Sequence, residues 1–256
     1  HPQFKVSPHY GARHLDPDLN SKMVDEVQTR GAGVTQYIDY SGCGEPLAHY
    51  GAYDMLDEAV RHSGVDVMLT TNGTIMNETR TTQLLDAGVH TIDVSIDAFR
   101  AETYAQIRRN GKLHVTRDNV QRLLRWVHES HAVTKVVVSF VEQPENAAEA
   151  ADFERFWTDA GADAVIIRRQ QSCSGAMVAL ADVRRGLVAK VTRTPCLYPW
   201  ERIVVNAAGD LAFCPSDWVH GSRLADYRET TIHETWHGGA YARLRQAVVR
   251  QVPASV

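Results

Sequence analysis

Residues 36–47 read Gln36-Tyr37-Ile38-Asp39-Tyr40-Ser41-Gly42-Cys43-Gly44-Glu45-Pro46-Leu47. The first five form a strand-like run, and a helical segment follows the turn. A Gly-x-Gly-Glu-Pro turn at this point sets bare backbone and one carboxylate at the C-terminal end of a strand. Small molecules bind to parallel α/β folds at that edge.

Outward from this stretch, strand-like and helical segments alternate. Strands are expected at 3–7, 34–40, 65–71, 89–96, 133–141 and 164–168. Helices are expected at 18–30, 53–62, 77–87, 101–109, 116–129 and 147–160. Asp16-Pro17-Asp18 is a helix start signal, with Pro in the first turn and acids at the positive helix end. Gly88 and Gly161 close two of the helices. Near-continuous Val and Ile strands suit a parallel sheet covered on both faces. Repeated βα units give an α/β barrel or a doubly wound sheet, and periodicity leaves both open. The strand ends favour a ligand-binding rim: Ser41 and Glu45, Thr70 to Gly73, Ser95 and Asp97, Ser139 and Glu142, Arg168 and Arg169 all gather polar or small residues there.

The chain of 256 residues suits one barrel-sized domain, or one domain with an appendage. A net charge of −4 gives no reason to expect nucleic acid or an anionic membrane as partner. No apolar run has the roughly 20 residues that span a bilayer, and no signal peptide is visible, so cytoplasm is the expected location. Cys43, Cys173, Cys196 and Cys214 do not make a disulfide framework and read as reduced thiols or metal ligands. His1-Pro2-Gln3-Phe4 matches the core of a streptavidin-affinity tag and carries no functional weight. Arg108 and Arg109 offer a charge to an anion or else form a solvated helix end. His233 and His237 stand four apart but read as surface residues.

The GEP turn is followed in order by Leu69-Thr70-Thr71-Asn72-Gly73-Thr74, Ile92-Asp93-Val94-Ser95-Ile96-Asp97-Ala98 and Tyr104-Ala105-Gln106-Ile107-Arg108-Arg109. Gly111-Lys112-Leu113-His114, with Asn119 seven residues after Lys112, completes the series. Over roughly residues 3–170 this order resembles radical S-adenosylmethionine (SAM) enzymes. The resemblance implies a partial (β/α)6 barrel with SAM across the strand tips. Gly44, Glu45 and Pro46 would meet the methionine end, with Thr71 and Asn72 near the ligand. Ser95 and Asp97 would face the ribose, and Ser139 and Arg168 are weaker candidates on the last two strands. It also implies a [4Fe–4S] cluster, which cleaves SAM to a 5′-deoxyadenosyl radical that takes hydrogen from a small-molecule or peptide substrate. Oxidation or epimerisation is the expected outcome, and flavodoxin or ferredoxin the expected electron donor.

The chain departs from the family at the cluster loop. Members carry Cys-x3-Cys-x2-Cys after the first strand, whereas Cys43 is the only cysteine before Cys173. Pro8-His9 matches what commonly follows that loop, so the resemblance implies that about a dozen residues are cut out between Ser7 and Pro8. Omission of a loop and evolutionary loss of the cluster both explain this, and omission is the expectation. The loss would leave a cluster-less homologue that binds SAM or a peptide.

In the tail, Cys196-Leu197-Tyr198-Pro199-Trp200 leads to Ile203-Val204-Val205-Asn206, Gly209 and Cys214. A hairpin turning at Ala208-Gly209-Asp210 would return Cys214 beside the strand that Cys196 introduces, and two thiolates there suit a metal site. This unit is similar to the SPASM or twitch extension of radical SAM enzymes, as is the later Ile232-His233-Glu234-Thr235-Trp236-His237-Gly238. The similarity implies an auxiliary Fe–S cluster held partly by Cys196 and Cys214. The expected organisation is a barrel over 1–170 and an extension over 171–256, formed by a small β-hairpin plus helix.

Overall fold

The computed structural model describes residues 14–42, 44–109, 111–169, 196–216 and 222–250. Among the described residues, 27–169 belong to one compact unit, and 14–26 join those from 196 onward in the other.

In the first unit five strands run parallel in sequence order: β1 (Tyr37–Tyr40), β2 (Asp66–Thr71), β3 (Thr91–Ser95), β4 (Lys135–Glu142) and β5 (Ala164–Arg169). The helices that alternate with them are α2 (Ala52–His62), α3 (Glu78–Asp86), α4 (Ala101–Ile107), α5 (Leu113–Ser130) and α6 (Ala150–Asp159). Local chemistry sets their ends. The Asn77 side chain caps α3 by accepting the Arg80 amide at 3.0 Å. His131 ends α5 in the left-handed conformation, φ 52°. The expected strand at 3–7 lies outside the described residues. The expected strand at 34–40 is shorter, because the Thr35 amide turns back to the Gly31 carbonyl at 2.8 Å.

The two faces of the sheet differ. Parallel pairing puts Ile92, Val94, Val136, Val138 and Phe140 on one face, each with 0% exposure. Helices pack there. The Phe140 and Phe153 rings lie 4.8 Å apart, and the Tyr40 hydroxyl donates to the Met55 carbonyl of α2. A Cβ on Gly73 would meet both Val94 and Val120 of α5. Full burial of such a side chain stabilises by about 1.5–3 kcal/mol, so this face carries the core of the unit. The inner face mixes Met68, Val137, Val141 and Ile166 with the polar Asp39, Thr70, Asp93, Ser95, Ser139 and Arg168. The expected near-continuous apolar run is thus complete on the helix-covered face and interrupted by polar residues on the inner one. The architecture is the expected α/β partial barrel, with a small antiparallel sheet later in the chain.

That second sheet has the order β6 (Val204–Val205), β7 (Asp210–Ala212) and β8 (Arg223–Asp226). The β6–β7 hairpin turns through Asn206, whose Oδ1 accepts the Ala208 and Asp210 amides, with Gly209 at φ 82°. Leu211 and Tyr227 form its core with Leu19, from the part of α1 (Pro17–Arg30) that belongs to this unit. The Lys22 ammonium donates to the Tyr227 and Thr230 carbonyls, and the Tyr227 hydroxyl donates to Glu26 at 3.0 Å. Burial and the Glu26 charge push the Tyr227 phenol well above its ordinary pKa. Short helix α7 (Tyr198–Glu201) precedes the sheet, and α8 (Ile232–His237) and α9 (Gly239–Arg250) follow it. Thr231 and Glu234 form a capping box on α8. Arg245 ties α9 back, donating to the Pro199 and Trp236 carbonyls.

Candidate functional site

The five strand tips open on one edge of the sheet because all five strands run the same way. Two polar clusters stand there. The first joins the tips of β1 and β2 through the carboxylate of Glu45. Its Oε1 accepts the Thr71 hydroxyl at 2.7 Å and the Leu47 amide at 3.1 Å, and its Oε2 accepts the Asn72 amide at 2.8 Å. A carboxylate has about four acceptor sites. Three are used among the described residues, which leaves one on Oε2. Glu45 also opens the 3-10 turn Pro46–Ala48, where Pro suits the first position.

The turn after β2 is rigid. Gly73 sits at φ 70°, and a Cβ there would lie 2.8 Å from the Val94 side chain, so both conformation and space require glycine. Asn119 from α5 donates to the Gly73 carbonyl at 2.9 Å, and Asn72 Oδ1 accepts the Thr74 amide at 2.9 Å.

The second cluster lies at the tip of β3. Asp97 adopts the left-handed conformation at φ 64°, where a non-glycine residue persists only if its surroundings hold it. They do. Asp97 Oδ1 accepts the Val141 amide at 2.8 Å, and its backbone carbonyl accepts from Asn146 at 2.8 Å. Oδ2 pairs with Arg108 at 2.5 Å, and the same Arg108 nitrogen donates to Ser95 Oγ at 2.8 Å. The loop beyond is clamped by Glu149, which accepts the Phe99 and Arg100 amides at 2.8 and 3.0 Å and the Thr103 hydroxyl. Burial opposes ionisation of Glu149, but these hydrogen bonds outweigh it and hold its pKa below the usual carboxylate range.

Glu45, Thr71, Asn72, Ser95 and Asp97 therefore all stand at the C-terminal tips of adjacent strands, in two clusters. Gly44 and Pro46 flank Glu45. Ser139 pairs in register with Ser95 and lies on the inner face, and Arg168 Nη2 reaches Asp93 Oδ2 at 2.9 Å. Sequence reasoning left out Asp93, although Thr91, Asp93, Ser95 and Asp97 alternate with Ile92, Val94 and Ile96 and so mark one polar face. It also left Arg108 undecided. Nothing local indicates that the chain after α4 turns this side chain back onto the β3 tip.

Among the described residues no group of three His, Cys, Asp or Glu side chains is placed to hold a metal. Cys196 is exposed, Cys214 is half-buried, and neither forms a disulfide. The register Val204↔Ala212 brings the residues just before Cys214 back along β6, as the hairpin reading required. Cys43 and Cys173 lie outside the described residues, as do Ser7 and Pro8. The polar residues at the rim, Glu45, Asn72, Ser95 and Asp97 among them, fit a zwitterionic, hydroxyl-rich ligand. For the radical-generating cluster the donor set does not fit, because the sequence has no Cys-x3-Cys-x2-Cys. No helix among the described residues is long and apolar enough to cross a membrane.

Comparisons with known proteins agree with this architecture. The Radical SAM superfamily model matches residues 3–154, and the SPASM iron-sulfur cluster-binding domain matches residues 196–254. The GTP 3′,8-cyclase of Pelotomaculum thermopropionicum is 37% identical over 126 residues, 46% of this chain and 37% of that protein. A tungsten-containing aldehyde ferredoxin oxidoreductase cofactor-modifying protein of Pyrococcus furiosus is 24% identical over 155 residues, 60% of this chain and 42% of that protein. These matches span less than half the length of either relative. Among solved structures, BtrN in complex with AdoMet and 2-DOIA superposes with a TM-score of 0.56 at 15% identity, covering 96% of this chain and 80% of BtrN. SuiB of Streptococcus suis bound to precursor peptide SuiA gives a TM-score of 0.61 at 14% identity, covering 95% of this chain and 63% of SuiB. At these identities the structures show a shared fold.

Proposed function

The chain belongs to the radical SAM superfamily, with a SPASM domain following the barrel, and from this premise we propose that its strand-tip rim binds SAM. The superfamily's cofactors are SAM and a [4Fe–4S] cluster, and the SPASM domain brings auxiliary Fe–S clusters. The observation that carries the proposal is the Glu45 carboxylate, which locks the β1 and β2 tips and keeps one acceptor site for an ammonium. The Gly44 backbone and Pro46 complete the methionine end. Thr71 and Asn72 hold the adjoining turn, and Ser95 and Asp97 face the ribose side. Arg108 joins this set by fixing both Ser95 and Asp97, and it adds a cation for the SAM carboxylate.

We further propose a reaction of the superfamily's class. A [4Fe–4S] cluster, whose three-cysteine motif this sequence does not carry, would supply the cleavage of SAM. Hydrogen would then be taken from a small-molecule or peptide substrate, with oxidation or epimerisation as the outcome. A flavodoxin or ferredoxin would donate the electron. Relatives named as GTP cyclases and a neighbour bound to a precursor peptide support both substrate classes. The rim residues orient SAM and the barrel keeps water away. A second reading is favoured by the absence of the three-cysteine motif from this sequence: a homologue that binds SAM or a peptide without redox chemistry.

Anaerobic titration with SAM tests the rim, and assay for 5′-deoxyadenosine after iron–sulfide reconstitution separates the two readings. Binding with nucleoside release supports the enzyme, and binding alone supports the homologue. Absence of SAM binding overturns both as far as SAM is concerned.

A further inference from the structure

The inner face of the sheet carries an ion pair that the SAM reading does not use. Asp93 on β3 and Arg168 on β5 meet at 2.9 Å, with β4 running between them. Asp93 pairs in register with Val137, and Arg168 with Val141. Ser139 lies between those two valines on the same face, so the pair runs diagonally over Ser139. Asp93 is 7% exposed and Ser139 1%, while the Arg168 side chain stays 46% exposed.

Two atoms beneath this pair have no partner among the described residues: Asp93 Oδ1 and Ser139 Oγ, both fully buried. A buried polar atom without a hydrogen bond costs about 1–3 kcal/mol, and more when charged. A parallel sheet avoids that cost by placing Val or Ile at such positions, as this one does on its helix-covered face. Paired carboxylate and guanidinium groups with spare hydrogen-bonding capacity, set on the inner wall below a cofactor rim, are the polar groups that orient a ligand in an otherwise apolar cavity.

We propose that Asp93, Ser139 and Arg168 form a substrate-anchoring site, in which Arg168 takes an anionic group and Asp93 with Ser139 accepts a neighbouring hydroxyl or ammonium. Arg168 acts first. Its exposed guanidinium edge meets the carboxylate or phosphate of the substrate. As it turns towards that anion, it uncovers Asp93 Oδ1 and Ser139 Oγ for the donor beside it. The substrate class is an anion with an adjacent donor group, such as a hydroxy acid, an amino acid residue or a phosphorylated sugar. This inference rests on SAM occupying the rim above. It separates Arg168 and Ser139 from the SAM-contacting set.

The test follows the Arg168 Nε–Hε resonance of the full chain, assigned by its loss in Arg168→Lys, with SAM present and with SAM omitted. Glycolate, acetate and inorganic phosphate are the probes. Glycolate should give a saturable shift and bind about tenfold more tightly than acetate, the difference that one hydrogen bond to a charged group makes. Asp93→Asn should bring the two within about twofold of each other, and Ser139→Ala serves the same purpose should Asp93→Asn fail to fold. Phosphate binding more tightly than glycolate supports the site and identifies its anion as phosphoryl.

No saturable shift with any probe overturns the proposal and leaves the orphaned atoms to an internal water. Equal affinity for glycolate and acetate overturns the donor half. Competition between SAM and glycolate returns Arg168 to SAM and overturns the site. Failure of SAM to bind condemns the rim reading instead, because the probe titration without SAM still reads Arg168.

Discussion

Arg108 Nη2 stands 2.5 Å from Asp97 Oδ2, so a side chain from the end of α4 stabilises a left-handed aspartate at the tip of β3. Asp97 is 5% exposed, and removing its partner leaves a buried charge uncompensated. Arg108→Gln should cost about 2–3 kcal/mol and weaken SAM binding by about tenfold or more. Denaturant unfolding and anaerobic SAM titration check both effects. Full SAM affinity in a destabilised variant would make Arg108 purely structural.

Glu45→Gln replaces one acceptor oxygen with an amide. One of the three donors that now meet the carboxylate, the Leu47 amide, the Thr71 hydroxyl or the Asn72 amide, must then face another donor. A loss of about 1–3 kcal/mol is expected, together with a large loss of SAM affinity. Calorimetric titration beside a urea curve separates the two. Unchanged SAM affinity would confine Glu45 to holding the turn.

Gly73→Ala and Gly161→Ala form a matched pair. Both glycines have positive φ, which costs an L-residue about 1–2 kcal/mol. Only Gly73 also has a side chain, that of Val94, within 2.8 Å of the new Cβ, while Gly161 has nothing within 4 Å. Gly73→Ala should therefore lose about 1–3 kcal/mol more than Gly161→Ala. Urea midpoints decide, and equal losses would mean that the β2 turn is free to shift.

Glu149 sets an acid-sensitive term. Its folded-state pKa lies below the ordinary carboxylate value, so its contribution is present above the unfolded pKa of about 4.3 and disappears as pH falls through the folded value. Stability measured between about pH 7 and pH 3 should fall less steeply in Glu149→Gln than in the wild type. Parallel slopes for the two proteins would show that the Phe99–Arg100 clamp does not depend on the charge.

Cys196 and Cys214 flank the β6–β7 hairpin inside the SPASM match. After anaerobic iron–sulfide reconstitution, Cys196→Ala with Cys214→Ala should bind less iron than the wild type while retaining SAM affinity. Iron content that does not change would make the two thiols structural.

Most of the barrel was legible because each βα unit carries its own period. Asp66–Thr71 and Lys135–Glu142 are strands within two residues of expectation, and the reason is local: β-branched runs between turn residues. The rim tips were legible through their polar residues. What local reading did not reach were the contacts made across long separations. Arg108 meets Ser95, Asn146 meets Asp97, and Glu149 meets Phe99 only after the sheet has formed. The role of Leu19, Lys22 and Glu26 escaped for the same reason. Their part of α1, expected with the barrel, packs with Leu211 and Tyr227 from about 200 residues further along.

The two unlike faces of β3, β4 and β5 bear on how this protein can be redesigned. In a strand the residues of one face are every second position, so a combinatorial library at Val137, Ser139 and Ile166 changes the inner wall and leaves Val136, Val138, Phe140 and Ile167 intact. Substitutions on opposite faces share few neighbours and should act nearly additively on stability. Under the anchoring proposal, substrate preference would be searched at inward positions, while outward ones are reserved for stabilising changes, and each search can proceed without undoing the other.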